Sequence, residues 1–170
     1  DDNLNVYVAG HNFGDCLLIK YDAAGKLIWT VKEDGSSHSY DEGYVMSFSP
    51  DQKYIYMGSC LDEITGGHNF VVSKYNVLNA KCVWKTSYDG TEHNSDYIMD
   101  IKTSNDGFIY VGGTSIGTNS HGYADILTLK INVNGEILWD RRYDGLGHGE
   151  DWVNYLKLDN DNNVYLNGGT

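Results

Sequence analysis

Trp29, Trp84 and Trp139 stand 55 residues apart, and each closes a similar string: Lys26-Leu-Ile-Trp29, Lys81-Cys-Val-Trp84 and Glu136-Ile-Leu-Trp139. Five residues after each Trp comes Asp-Gly (Asp34-Gly35, Asp89-Gly90, Asp144-Gly145). Nine after it comes a His (His38, His93, His148), and twelve after it an Asp (Asp41, Asp96, Asp151). Two more landmarks keep the same phase. One is an apolar-Tyr pair, at Val6-Tyr7, Ile55-Tyr56, Ile109-Tyr110 and Val164-Tyr165; the other is a Lys ending an apolar run, at Lys20, Lys74 and Lys130. A period of this kind marks a repeat architecture, in which each unit buries its apolar face against its neighbour. The 170 residues would suit one ordinary domain; the period divides them into about three units.

Within a period the signals are β. Asp15–Tyr21, Phe70–Tyr75 and Asp125–Ile131 are short runs apolar on both faces, as in strands covered on both sides. Leu27–Val31, Val83–Tyr88 and Ile137–Tyr143 form a second set, Tyr44–Ser49, Tyr97–Thr103 and Trp152–Leu158 a third, and the apolar-Tyr pairs a fourth. Gly, Asn and Asp clusters separate them, as turns with positive φ or self-bonded backbone require. No segment has a helical pattern. Four short strands per repeat with both faces covered predict an all-β chain of β-propeller blades, each a four-stranded antiparallel sheet. With the innermost strand called A, the chain reads BCD, ABCD, ABCD, AB. The repeats are approximately 1–43, 44–97 and 98–152, with 153–170 starting a further blade of one segment, 1–170. About three blades are too few to close a ring, since propellers use about four to eight. The expectation is therefore an incomplete propeller, or one completed by other copies.

Lys20-Tyr-Asp-Ala-Ala-Gly-Lys-Leu-Ile-Trp29 and Lys130-Ile-Asn-Val-Asn-Gly-Glu-Ile-Leu-Trp139 resemble the core of SBBP-type β-propeller repeats. Asp144-Gly145, Gly149-Glu-Asp151 and Asp161-Asn-Asn-Val-Tyr165 continue the pattern, so the resemblance covers essentially the whole chain. It implies a propeller repeat of surface or secreted proteins without assigned catalysis. The middle repeat departs in Asn76-Val-Leu-Asn-Ala80, which lacks the turn Gly, and the first has Glu33 where the others have Tyr88 and Tyr143. The Gly-x-x-x-Trp ending is more loosely similar to quinoprotein-type blades, which would imply a fragment of a cofactor-dependent propeller enzyme.

Charge narrows the partners. Twelve Lys and Arg against 24 Asp and Glu give a net charge of −12. Binding to nucleic acid needs clustered cations on phosphates, and Arg141-Arg142 is the only adjacent basic pair. No apolar run is long enough to span a membrane. Phosphate-binding loops, nucleophile elbows and zinc-protease motifs do not occur. Gly66-Gly67 and Gly112-Gly113 read as loop pairs. Cys16, Cys60 and Cys82 make an odd count without close spacing, and form no zinc or redox motif. The acidic surface suits an extracellular or cell-surface module.

The sharpest constellation is His38/Asp41, His93/Asp96 and His148/Asp151. Such pairs can ligate a metal or a sugar hydroxyl, but a residue present in every blade more often satisfies loop backbone that every blade must bury. Trp29, Trp84 and Trp139 read as blade-packing residues whose N–H finds one acceptor. Lys20, Lys74 and Lys130 read as snorkelling stems with the head in a loop. Asp159, Asp161 and Asn163 have a spacing able to offer oxygens to Ca²⁺, although they occupy an A–B hairpin where such residues are ordinary. No other cofactor is expected. A function particular to this chain should break the repeat symmetry. Candidates are His68 and His121 in the longer B–C loops (Ser59–His68 and Gly113–Tyr123), Arg141 and Arg142, and Trp152, which replaces Glu42 and Tyr97 of the other repeats.

Together these features predict a non-catalytic β-propeller module, a structural scaffold or a protein- or glycan-binding domain. Its partners would be further blades of the same protein, other copies of itself, or a glycan or protein ligand. The alternative is a lectin-like propeller with one sugar site per blade.

Overall fold

Runs of β-branched and aromatic residues, broken every few positions by Gly, Asn and Asp, favour strands over helices. A computed structural model describes residues 1–170 except Phe13, Thr65 and residues 118–121, and the side chain of Tyr44 is also outside the description. The described residues form thirteen strands and no helix, arranged in four antiparallel sheets. The first sheet is β1 (Val6–His11), β2 (Cys16–Tyr21) and β3 (Leu27–Glu33). The second is β4 (Glu42–Phe48), β5 (Tyr54–Asp62), β6 (His68–Asn76) and β7 (Cys82–Tyr88). The third is β8 (Asp96–Thr103), β9 (Ile109–Ile116), β10 (Ala124–Ile131) and β11 (Ile137–Tyr143), and the fourth is β12 (Trp152–Leu158) with β13 (Val164–Gly169). The strand order BCD, ABCD, ABCD, AB is the one expected from the repeat.

Alternation along each strand gives a sheet two faces, and the second sheet uses both. Ile55, Met57, Leu61, Val71 and Tyr75 pack with Tyr7, Cys16 and Leu18 of the first sheet. Tyr56, Cys60, Phe70 and Val72 pack with Ile98, Ile101, Val111, Leu127 and Leu129 of the third. Full burial of an aliphatic or aromatic side chain contributes about 1.5–3 kcal/mol, so these two interlayer clusters outweigh any single turn. Strand β4 packs against β1 and β8, and β8 against β12, which makes the A strands of successive sheets mutual neighbours. Each A strand is bulged near its start, at Gly43/Val45, Ile98/Asp100 and Val153/Tyr155.

Two boundaries differ from the sequence reading. Gly112-Gly113 lie inside β9, and β5 runs to Asp62, which shortens the second B–C loop. At Gly113 the cause is close packing, within its own sheet and against the second. A Cβ on Gly113 would fall 2.0 Å from the Tyr97 carbonyl oxygen and 2.6 Å from the Phe70 ring. Glycine there is a strand residue that lets the sheet in, and only the structure separates that use from a turn.

Candidate functional site

The recurrent polar residues come together at the corner between the last strand of one sheet and the first of the next. Each His sits in the left-handed region, with φ of 54° at His38, 53° at His93 and 48° at His148. Its N–H closes a turn onto the carbonyl of the Asp-Gly glycine. The ring then reaches back four residues: Nδ1 lies 2.8 Å from Asp34 in the first corner, 2.6 Å from Asp89 in the second and 2.8 Å from Asp144 in the third. The sequence grouped each His with the Asp three residues later. That Asp has a separate task. Asp41, Asp96 and Asp151 are buried and accept the glycine N–H of the corner, at 2.7, 2.9 and 2.6 Å from Gly35, Gly90 and Gly145. The acid that pairs with His is the one in Asp-Gly, a dipeptide that reads as a plain turn. Burial pushes the carboxyls of Asp41 and Asp96 up, against the downward pull of those amides.

A second repeated arrangement joins sheet to sheet. Lys20 and Trp29 are cross-strand partners, as are Lys74 with Trp84 and Lys130 with Trp139. A bulge on the Trp strand lies beside each pair, and the first two pairs reach the following sheet. There Lys20 Nζ (3.0 Å) and Trp29 Nε1 (3.2 Å) donate to one carbonyl, that of Val77. Lys74 Nζ (3.2 Å) and Trp84 Nε1 (3.1 Å) donate to the carbonyl of Val133. Val77 and Val133 occupy the same place in the C–D turns. Lys130 instead lies over the rings of Phe108 and Tyr110, and Arg141 over Trp139. The acceptors are backbone atoms, so no side-chain motif marked them.

The symmetry-breaking residues separate into two places. Glu42, Tyr97 and Trp152, equivalent by repeat, meet in an open cleft of about 570 Å³ where β4, β8 and β12 begin. Val45, Met99 and Thr114 complete much of its wall. Trp152 is 49% exposed there. His68 supports the cleft from behind: its ring lies 5.4 Å from that of Tyr97 and its Nε2 is 2.8 Å from the Tyr40 carbonyl oxygen. Arg142 points elsewhere, donating to the Ser115 carbonyl (2.5 Å) and to Asp125 (3.1 Å). His121 lies outside the described residues.

At the hairpin of Asp159, Asp161 and Asn163, the Asp159 carboxylate accepts four bonds. They come from the N–H groups of Asp161 (2.9 Å) and Asn163 (2.8 Å), Asn163 Nδ2 (2.8 Å) and Tyr165 OH (3.1 Å). These neighbours face it with donors, whereas a cation needs acceptors. Asp1 closes the turn before β1 in the same way, through Asn5 and Tyr7.

Glu33, the first repeat's departure, is buried at 1% exposure. Ser59 (3.0 Å) and Tyr75 donate to its carboxylate, and Lys85 lies at 3.2 Å. The three cysteines are free; Cys16 and Cys60 are buried and Cys82 is exposed. Burial pushes the Cys60 thiol up to about 12.

The fold and these corners define an all-β repeat chain of stacked antiparallel sheets. No protein-family model matches the sequence, and no curated protein matches it.

Proposed function

We propose that the chain is a non-catalytic β-propeller-type module, a scaffold of SBBP-like blades whose ligand contacts run through the cleft of Glu42, Tyr97 and Trp152. One contrast carries this reading. The polar residues present in every repeat are engaged in holding the chain together: His with Asp, Asp with glycine amide, Lys and Trp with the next sheet's carbonyl. Three residues that differ at one repeat position, Glu42, Tyr97 and Trp152, are instead gathered around an open cavity. A propeller arrangement is supported by the neighbouring A strands, which in a closed ring surround the central axis.

The cleft favours a glycan over an apolar ligand. An exposed indole beside a tyrosine offers stacking faces for a sugar ring, and Glu42 and Thr114 offer acceptors and a hydroxyl for its polar edge. This places one site where unlike residues of three repeats meet, instead of one per blade. A glycan array, followed by titration of the strongest hit, tests it. Trp152→Ala should lose binding while keeping the wild-type circular dichroism spectrum and melting temperature. Equal binding by the variant, or an array without hits, sinks the glycan reading.

A further inference from the structure

The third corner carries more negative charge than its own contacts satisfy. Asp125, at the head of β10, meets Asp144 and Asp151, and each offers an oxygen within 4.8 Å of the other two. Their Oδ2 atoms are engaged: Asp125 by Arg142 (3.1 Å), Asp144 by His148 (2.8 Å) and Asp151 by the Gly145 amide (2.6 Å). Two opposite oxygens, Asp125 Oδ1 and Asp144 Oδ1, are buried without a hydrogen-bond partner among the described residues. The Asp125 side chain is 0% exposed, so water does not reach it, while Asp144 keeps 20% exposure and opens the site to solvent.

The other corners show what is unusual. In the first, both Asp41 oxygens accept backbone N–H groups, from Gly35 and Asp62, each at 2.7 Å, and Asp15, the counterpart of Asp125, pairs with Lys32 at 2.8 Å. In the second, Asn69 stands in that place, and Asn69 Oδ1 is again buried without a hydrogen-bond partner among the described residues. A buried acceptor oxygen without a partner thus recurs at the position of Asn69 and Asp125, and in the third corner a second joins it on Asp144. Among the described residues, Arg142 is the one Lys or Arg that pairs with the cluster, through Asp125. Burial pushes the Asp125 carboxyl up, with Arg142 opposing and the charges of Asp144 and Asp151 adding to the rise. Acceptor-only oxygens gathered out of water are satisfied by a cation.

We propose that Asp125, Asp144 and Asp151 form a binding site for a hard divalent cation, calcium foremost. Oxygen-only ligation and irregular geometry suit calcium, which accepts six to eight oxygens with wide angular tolerance. Water entering past Asp144 would complete its shell.

The test is equilibrium dialysis of the whole chain, stripped with EDTA, against calcium chloride, alongside melting curves in calcium and in EDTA. About one calcium retained per chain is expected, with a higher melting temperature in calcium. Asp125→Asn and Asp144→Asn, each close in shape and one charge less, should bind at least about tenfold more weakly. Asp144 lies at the rim, so its variant folds even where Asp125→Asn does not. No retention by the wild-type protein at millimolar calcium overturns the proposal, as does undiminished retention by both variants. A melting temperature indifferent to calcium that climbs as the cluster is protonated also overturns it, because a shared proton then satisfies the oxygens.

Discussion

A single histidine shows how a local contact acquires a pH dependence. The hydrogen bond that His93 donates to Asp89, and then the charge of that carboxylate, raise the imidazole above its ordinary value. The protonated ring is therefore favoured in the folded state. Its contribution is complete below the unfolded value of about 6.5 and is lost as pH rises through the folded value. His93→Asn is the informative variant, because Asn tolerates the left-handed backbone at this position. The gap in urea midpoint between wild type and variant should be larger at about pH 6 than at about pH 8. A gap independent of pH would assign the effect of His93 to backbone geometry alone. Glu33 illustrates the opposite case, a charge held away from water. It is tolerated because Ser59, Tyr75 and Lys85 of the next sheet meet both of its oxygens. The tyrosines at its equivalent positions need no such company. From the sequence, Glu33 was visible as an irregularity and its partners were not, because they lie 26, 42 and 52 residues further along the chain.

Among elements, the joint between sheets is the Lys–Trp pair on a shared carbonyl. Burial lowers the ammonium pKa of Lys20 and of Lys74, but the retained hydrogen bonds keep both heads paired. Replacing either by Met removes one charged hydrogen bond and should cost about 1–2 kcal/mol in urea unfolding. Lys130→Met should cost less than about 0.5 kcal/mol, since its Nζ contacts only aromatic faces among the described residues. Equal losses at all three positions would show that the carbonyl is irrelevant and the aliphatic stem carries the effect. The strands themselves were legible: alternation, the apolar-Tyr pairs and the turn residues located thirteen of them in the observed order. The joints were only half legible. Their donors repeat as Lys and Trp, while their acceptors are peptide oxygens that any residue supplies. The corner was legible in composition and misread in pairing, because Asp-Gly is so common in turns that its carboxylate drew no notice.

Across the whole molecule, stability should fall from the middle sheets toward the last. The second sheet is packed on both faces, whereas β12 and β13 form a two-stranded sheet with Tyr155 at 66% and Tyr165 at 57% exposure. Two-stranded sheets are marginal unless packing supports them. Amide hydrogen exchange should therefore be slowest in β5, β6, β9 and β10 and fastest in β12 and β13; uniform protection would mean that the sheets open as one unit. The cleft of Glu42, Tyr97 and Trp152 was foreseeable as three unlike residues at one repeat position, but their convergence needed the A strands to be neighbours. The Lys–Trp joint has one more consequence. The first sheet gives its donors forward to the second and the second to the third, each through a carbonyl, so these two seams read the same way along the chain. A duplicated repeat inserted between two others would find a donor pair behind it and an acceptor ahead of it. Such an array can be lengthened by copying, without a new interface having to be invented.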